Sequence, residues 1–273
     1  MSFRRGFRQT LAQGSNAGFA SWNGNCNVST VIPVDTDDTA LPAGSARAPV
    51  GPRMALLCSL FTLVLPWALR RRLLNLLCGY AIAPGSRIGF SVVACTQVRM
   101  EPGARIGHFN VIKGARLEMG EKASIGDFNW IAGLPLDSSR HFGSESGRDP
   151  ALCLGRHAGL TSRHFLDCSN RIDIGEFSTI AGARSQILTH AIDLRSNTQV
   201  SARVAIGRYC FVGTACVVLK GARLPDCSVL AAGSSLARAF EEPFTLYSGV
   251  PAAPVKLLDR ESAYFSRVRG FVD

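Results

Sequence analysis

The chain carries nine cysteines among its 273 residues but no Cys-x-x-Cys pair. That absence excludes zinc-ribbon and dithiol redox motifs. The odd count fits no closed disulfide framework, so the thiols read as reduced and buried, as in a cytosolic protein. Carboxylates are scarce beside cations, 20 Asp and Glu against 30 Lys and Arg, for a formal net charge of +10. Such an excess suits nucleic acid, anionic lipid or a phosphorylated ligand and does not choose among them. Nucleic acid is disfavoured, because aromatic residues are not interleaved with a basic groove and three arginines gather in one run, Arg70, Arg71 and Arg72. Long apolar runs are missing as well. The one beginning at Met54 extends about sixteen residues and meets Pro66, short of the roughly twenty that a spanning helix needs. Residues 1–53, rich in Gly, Ser, Asn, Ala, Pro and Asp, lack any sustained apolar period and read as a disordered arm. The distance of the apolar run from the terminus argues against a cleavable signal peptide.

What the chain does contain is a period of six. Within residues 204–236 an aliphatic side chain returns at Ile206, Val212, Val218, Leu224, Leu230 and Leu236. An amphipathic helix repeats near 3.6 and a half-buried strand at 2, so neither explains the pattern, whereas a parallel β-helix does. The residues after each aliphatic are mostly small, as required at corners where coils stack at roughly 4.8 Å. The same phase runs through Ile82, Ile88, Ala94, Met100, Ile106 and Ile112, and resumes at Ile125 and Ile131. Residues 134–150 are polar and out of period, which predicts a loop extruded from a corner. Solenoids place such insertions on one face, often the binding face. The period returns at Leu154, Leu160, Leu166 and Ile172, shifts to Ile174 and Ile180, and fails again after His190 until Val204.

The expected organisation is an arm (1–53), an apolar and basic helical segment (54–80), the β-helix (81–238) with its insertion at 134–150, and a C-terminal extension (239–273). A short helix over residues 255–268 is expected to pack on the last coils. The 54–80 segment suits a cap over the open end of the β-helix. Its arginines beside Trp67, Leu69, Leu73, Leu74, Leu76 and Leu77 equally suit a peripheral contact with an anionic membrane.

Three stretches, IGEFSTIAGARSQILTH, VAIGRYCFVGTACVVLKGARLPDCSVLAAGSS and YSGVPAAPVK, resemble the hexapeptide-repeat acyltransferases, particularly the O-acetyltransferases of sugar and exopolysaccharide pathways. The similarity covers roughly residues 82–256. It implies an all-β solenoid, a left-handed parallel β-helix, assembled as a homotrimer. It further implies acetyl-CoA as acyl donor and a saccharide or glycolipid hydroxyl as acceptor; no metal is expected, and the reduced cysteines and the 54–80 segment point to a cytoplasmic enzyme with the option of a peripheral site at the inner face of the membrane. Of five histidines only His190 holds the family's Thr-His position, making it the expected general base. Asp193, three residues on, is expected to orient it, and His164 to contact substrate. The resemblance assigns the pantetheine arm of the donor to Thr214, Ala215, Ala232 and Gly233. Its phosphates fall to Arg238, in the Ala237-Arg238 pair that stands where the family more often has Thr-Lys, and to Lys256, the nearest cation to Ala253, which stands where the family has a lysine. An N-acetyltransferase of an amino sugar, a γ-carbonic-anhydrase-like zinc enzyme and a non-catalytic trimer remain as alternatives. The histidine spacings, seven from His157 to His164 and twenty-six from His164 to His190, do not match the zinc pattern.

Overall fold

The computed structural model describes residues 51–136, 141–142 and 145–270. The arm expected over 1–53 lies outside these, apart from its last three residues.

The six-residue period becomes three parallel sheets. A seven-stranded sheet runs from Ala81–Ile82 to Arg223–Leu224, a nine-stranded one starts at Arg87–Ile88, and a second seven-stranded one runs from Val92–Ala94 to Ser235–Leu236. Each strand pairs with its counterpart one coil later, so the chain forms the left-handed parallel β-helix expected of it. Register stacks like on like. In the second sheet Ile88, Ile106, Ile125, Leu160, Ile180, Val212 and Leu230 form one inward ladder. In the third, Val93, Ile112, Ile131, Leu166, Ile187, Val218 and Leu236 form another. All are buried, and each contributes about 1.5–3 kcal/mol of hydrophobic stabilisation. Val93 rather than Ala94 faces Ile112, one residue from the strict period. The phase shift from Ile172 to Ile174 arises because strands of the first sheet are long enough to point two side chains inward. Both of these isoleucines are buried, as are Leu152 with Leu154 and Val204 with Ile206.

Two helices, α1 (Pro52–Phe61) and α2 (Trp67–Cys78), close the first coil. They feed polar groups to backbone that a terminal coil leaves open. The Val93 N–H donates to Ser59 Oγ at 2.8 Å, and Trp67 Nε1 donates to the Ser86 carbonyl at 3.0 Å. Asn75 exchanges two hydrogen bonds with the backbone of Ile82. Arg70 is buried and donates to the carbonyls of Gly89 and Ser91, both at 2.7 Å. Arg71 donates to the Ile82 carbonyl at 3.2 Å. Two of the three arginines expected at a lipid surface are therefore engaged in the cap. Among the described residues no helix is long and apolar enough to cross a membrane.

At the other end, Thr245–Gly249 pairs with Val229–Leu230 and turns back as Ala252–Leu257, completing the second sheet as an antiparallel hairpin. The helix expected over 255–268 is thus replaced. Val255 and Leu257 are strand residues, and helix is limited to one 3-10 turn, Ala263–Phe265. An open sheet edge offers this segment a ladder of hydrogen bonds that a helix here would leave unmade. Beyond the turn, Tyr264 Oη donates to the Cys210 carbonyl and Arg267 to that of Phe177, tying the tail to earlier coils.

Candidate active site

The third-sheet strand Gln186–Leu188 is followed by a departure from the coil. His190–Asp193 pairs antiparallel with Thr198–Ser201, so the chain leaves the solenoid as a hairpin and rejoins it at Val204–Ile206. The residues that begin the hairpin are fixed from one coil below. Thr189 is fully buried, its N–H donating to Asp167 Oδ2 at 3.1 Å and its hydroxyl within reach of the Asp167 carbonyl and carboxylate. Asp167 Oδ2 also receives His190 Nδ1 at 2.5 Å, while Oδ1 accepts from Ser169 N–H at 3.1 Å and Ser169 Oγ at 2.6 Å.

This arrangement sets protonation. Burial opposes ionisation of Asp167, but hydrogen bonds from His190 and Ser169 outweigh it and hold the carboxyl below its ordinary value. The hydrogen bond to Asp167 raises the basicity of His190 against the effect of its partial burial. An acceptor-only carboxylate at Nδ1 fixes the tautomer, so Nδ1 carries the proton and Nε2 the lone pair.

The insertion braces this corner. Phe142 is buried with its ring nearly perpendicular to the imidazole, centroids 6.0 Å apart, and the Arg148 guanidinium lies 4.0 Å from the centroid of that phenyl ring. Arg148 donates to the carbonyls of Leu134, Pro135 and Ser169, tying both ends of the insertion to the corner beside Asp167. Glu145 accepts from Ser201 N–H and Oγ at 2.5 and 2.6 Å, and Ser201 is the residue opposite His190 in the hairpin.

Asp193 does not reach His190. It sits at the far end of the hairpin opposite Thr198 and accepts the Arg195 N–H at 2.8 Å. Three residues along a strand span roughly 10 Å and change face, which separates the two side chains. The carboxylate at His190 is instead Asp167, twenty-three residues earlier. The signal that finds it is the stacking of LTH in one coil over FLD in the coil below, where Asp167 pairs with Leu188.

His164 is likewise not at the site. It is 2% exposed, with Nε2 2.9 Å from Thr161 Oγ1 and Nδ1 accepting the Ser185 N–H at 3.2 Å. Burial pushes its pKa down to about 4. It belongs to an internal polar ladder running Ser91, Asn110, Asn129, His164 and Ser185 through successive coils. A histidine with both ring nitrogens satisfied inside the solenoid has no valence left for substrate.

Four expected cofactor residues do come together. Thr214, Ala215, Ala232 and Gly233 are exposed on adjacent coils at the corner between the second and third sheets, with Gly233 N–H donating to the Thr214 carbonyl at 2.9 Å. The corner is narrow by construction. A Cβ on Gly182 would meet Thr214 Cβ at 2.5 Å, whereas the space beyond Gly233 is open. Arg238 lies elsewhere, on the edge after the third sheet, its guanidinium 4.7 Å over Phe240. Lys256 is exposed on the outer hairpin strand opposite Leu246. His190 and the Thr214 corner occupy opposite ends of third-sheet strands, a separation of about six residues or roughly 20 Å. Among the described residues no three His, Cys, Asp or Glu side chains group to hold a metal ion.

No protein-family model and no curated protein matches the chain. Among solved structures it is similar to the polysialic acid O-acetyltransferase OatWY, at 16% identity over 69% of this chain and 90% of that one, with a TM-score of 0.49. It is also similar to a hexapeptide-repeat-containing acetyltransferase from Vibrio cholerae complexed with acetyl coenzyme A, at 18% identity over 76% and 87% of the two chains and a TM-score of 0.39. A third is AntD, an N-acyltransferase from Bacillus cereus in complex with dTDP and 3-hydroxybutyryl-CoA, at 14% identity over 64% and 84% and a TM-score of 0.43.

Proposed function

We propose that this chain is an acyltransferase that moves an acyl group, acetyl in the first instance, from acyl-CoA to a hydroxyl of a saccharide, with His190 as general base. The observation that carries the proposal is the contact of 2.5 Å between His190 Nδ1 and Asp167 Oδ2 at the break in the coil. With Nδ1–H held by the carboxylate, Nε2 takes the proton of the acceptor hydroxyl as that oxygen attacks the thioester carbonyl. The imidazolium formed is stabilised by Asp167. It returns the proton to the departing thiolate, so the products are the ester and the free thiol and His190 is again neutral. Asp167 is a positioning residue, since it acts through the imidazole.

The exposed, small-residue corner of Thr214, Ala215, Ala232 and Gly233 suits the narrow arm of the donor, the open space at Gly233 admitting a chain that a larger side chain would block. Because this corner and His190 lie on different edges of one solenoid, an active site using both is completed between subunits, and a homotrimer is part of the proposal. The saccharide acceptor enters on the side of the insertion, which borders His190 through Phe142.

Thiol release from acetyl-CoA, measured against a panel of hydroxyl and amino sugars, tests this. Turnover by the wild type with a loss of about 100-fold or more in His190→Ala is expected. A variant retaining the full rate removes His190 as base, and turnover confined to amino sugars removes the hydroxyl acceptor.

A further inference from the structure

The face that α1 turns away from the β-helix is opposite in character to that of an ordinary surface helix. Its buried positions are Ala55, Cys58 and Ser59, two small residues and a serine engaged with the Val93 N–H. Its large apolar residues point outward. Leu57 is 61% exposed, Phe61 75%, and Val64, in the turn that follows, 80%, with Leu60, Leu69 and Leu77 also exposed. A helix of a soluble protein buries its large apolar residues and exposes its small and polar ones, and apolar surface gathered on one face marks an interaction site.

Charge identifies the partner. No Asp or Glu occurs anywhere in residues 39–100, while Arg53, Arg70, Arg71, Arg72, Arg87 and Arg99 all do. Arg70 and Arg71 belong to the cap, whereas Arg53 and Arg72 are exposed, Arg53 one turn from Leu57 on α1 and Arg72 one turn from the exposed Leu69 on α2. A second copy of the chain docked on this face would bring arginines against arginines with no carboxylate of the segment to offset them. An anionic bilayer instead supplies an apolar interior for leucine and phenylalanine and phosphate for the guanidinium groups. With ten and twelve residues, neither helix spans a bilayer, so the contact lies in the plane of the interface.

We propose that the outer face of α1 and of the turn leading into α2 docks this protein on an anionic lipid surface, Leu57, Phe61 and Val64 entering the acyl boundary and Arg53 and Arg72 meeting headgroup phosphate. The cap and the membrane face are then separate functions of one helical pair. Arg70 and Arg71 serve the first, and Arg53, Arg72 and the exposed apolar residues the second. The proposal does not rest on acyl transfer, and neither does its readout.

The test is flotation of the full chain with phosphatidylcholine vesicles, with and without phosphatidylglycerol. Wild type is expected to float with the anionic vesicles. Leu57→Glu/Phe61→Glu is expected to partition at least about tenfold more weakly, because two apolar insertions become two carboxylates facing anionic lipid. Arg53→Gln/Arg72→Gln is expected to lose the preference for phosphatidylglycerol. All four positions are exposed, so an unchanged thermal midpoint verifies that each variant is folded. Failure of the wild type to float, equal flotation of the Leu57/Phe61 variant, or an unchanged lipid preference in the Arg53/Arg72 variant overturns the proposal. So does a wild-type assembly that the Leu57/Phe61 variant splits into smaller units without vesicles, which would make a second copy the occupant.

Discussion

The Nδ1 atom of His190 lies 2.5 Å from Oδ2 of Asp167, a residue one coil below it in the solenoid. The same carboxylate oxygen holds the N–H of Thr189, so the aspartate fixes both the path of the chain into the hairpin and the ring that follows. Substituting it therefore has effects that geometry and pH separate.

For Asp167→Asn the rising limb of the pH profile is expected to move. The hydrogen bond to Asp167 raises the His190 pKa, opposed by partial burial, and neutral His190 is the form that accepts a proton. Without the carboxylate the imidazolium loses its partner, the pKa falls, and the limb of kcat/KM shifts to lower pH even as kcat drops by about 100-fold or more. NMR titration of the His190 ring measures the same shift without reference to turnover. A lower kcat with an unmoved limb and an unmoved titration would make Asp167 merely structural.

His164 predicts an acid-sensitive fold. Its pKa in the folded chain is about 4 against an ordinary 6.5, so it stays neutral where the unfolded chain takes up a proton. The sign follows from proton binding. Stability is full above about pH 6.5 and declines as pH falls, levelling off below about pH 4, with a loss on the order of 3 kcal/mol for this nearly inaccessible side chain. In His164→Gln that part of the decline is expected to vanish, as read from urea midpoints at neutral pH and near pH 4. Equal acid losses in the two proteins would refute the assignment.

Arg70 predicts a split within one run of arginines. Arg70→Met removes two charge-assisted donors, taking from the Ser91 carbonyl its Arg70 partner and leaving the Gly89 carbonyl with only the Ser91 N–H, at the end of the solenoid. A loss of about 2–4 kcal/mol is expected in denaturant titrations. The neighbouring Arg72→Gln, on an exposed side chain, should stay within about 0.5 kcal/mol of wild type. Equal effects at the two positions would show that burial does not distinguish them.

Much of the solenoid was legible before any coordinate, because the inward ladder repeats locally. Ile206, Val212, Val218, Leu224, Leu230 and Leu236 announce their own burial, and all six are buried. Thr189 and His190 were legible as an interruption of that period. Their partners were not. Whether Asp167 or Asp193 meets the imidazole depends on which residues stack from coil to coil, and that register depends on where insertions leave and rejoin the solenoid. His164 resembled a cleft residue because a six-residue count says nothing of the polar ladder inside the corner, which only the stacked coils assemble. The terminal residues 252–257 became strand because an open sheet edge was adjacent to them, a circumstance that no local pattern records.

The sequence by itself determined the six-residue ladder, since hydrophobic burial is read directly from which side chains recur in phase. Tertiary structure alone decided that Asp167 holds His190, that Glu145 clasps the hairpin through Ser201, and that the run of arginines divides between cap and surface. These contacts join residues twenty or more positions apart, and their geometry is set by the stacking of whole coils rather than by any local preference of the chain.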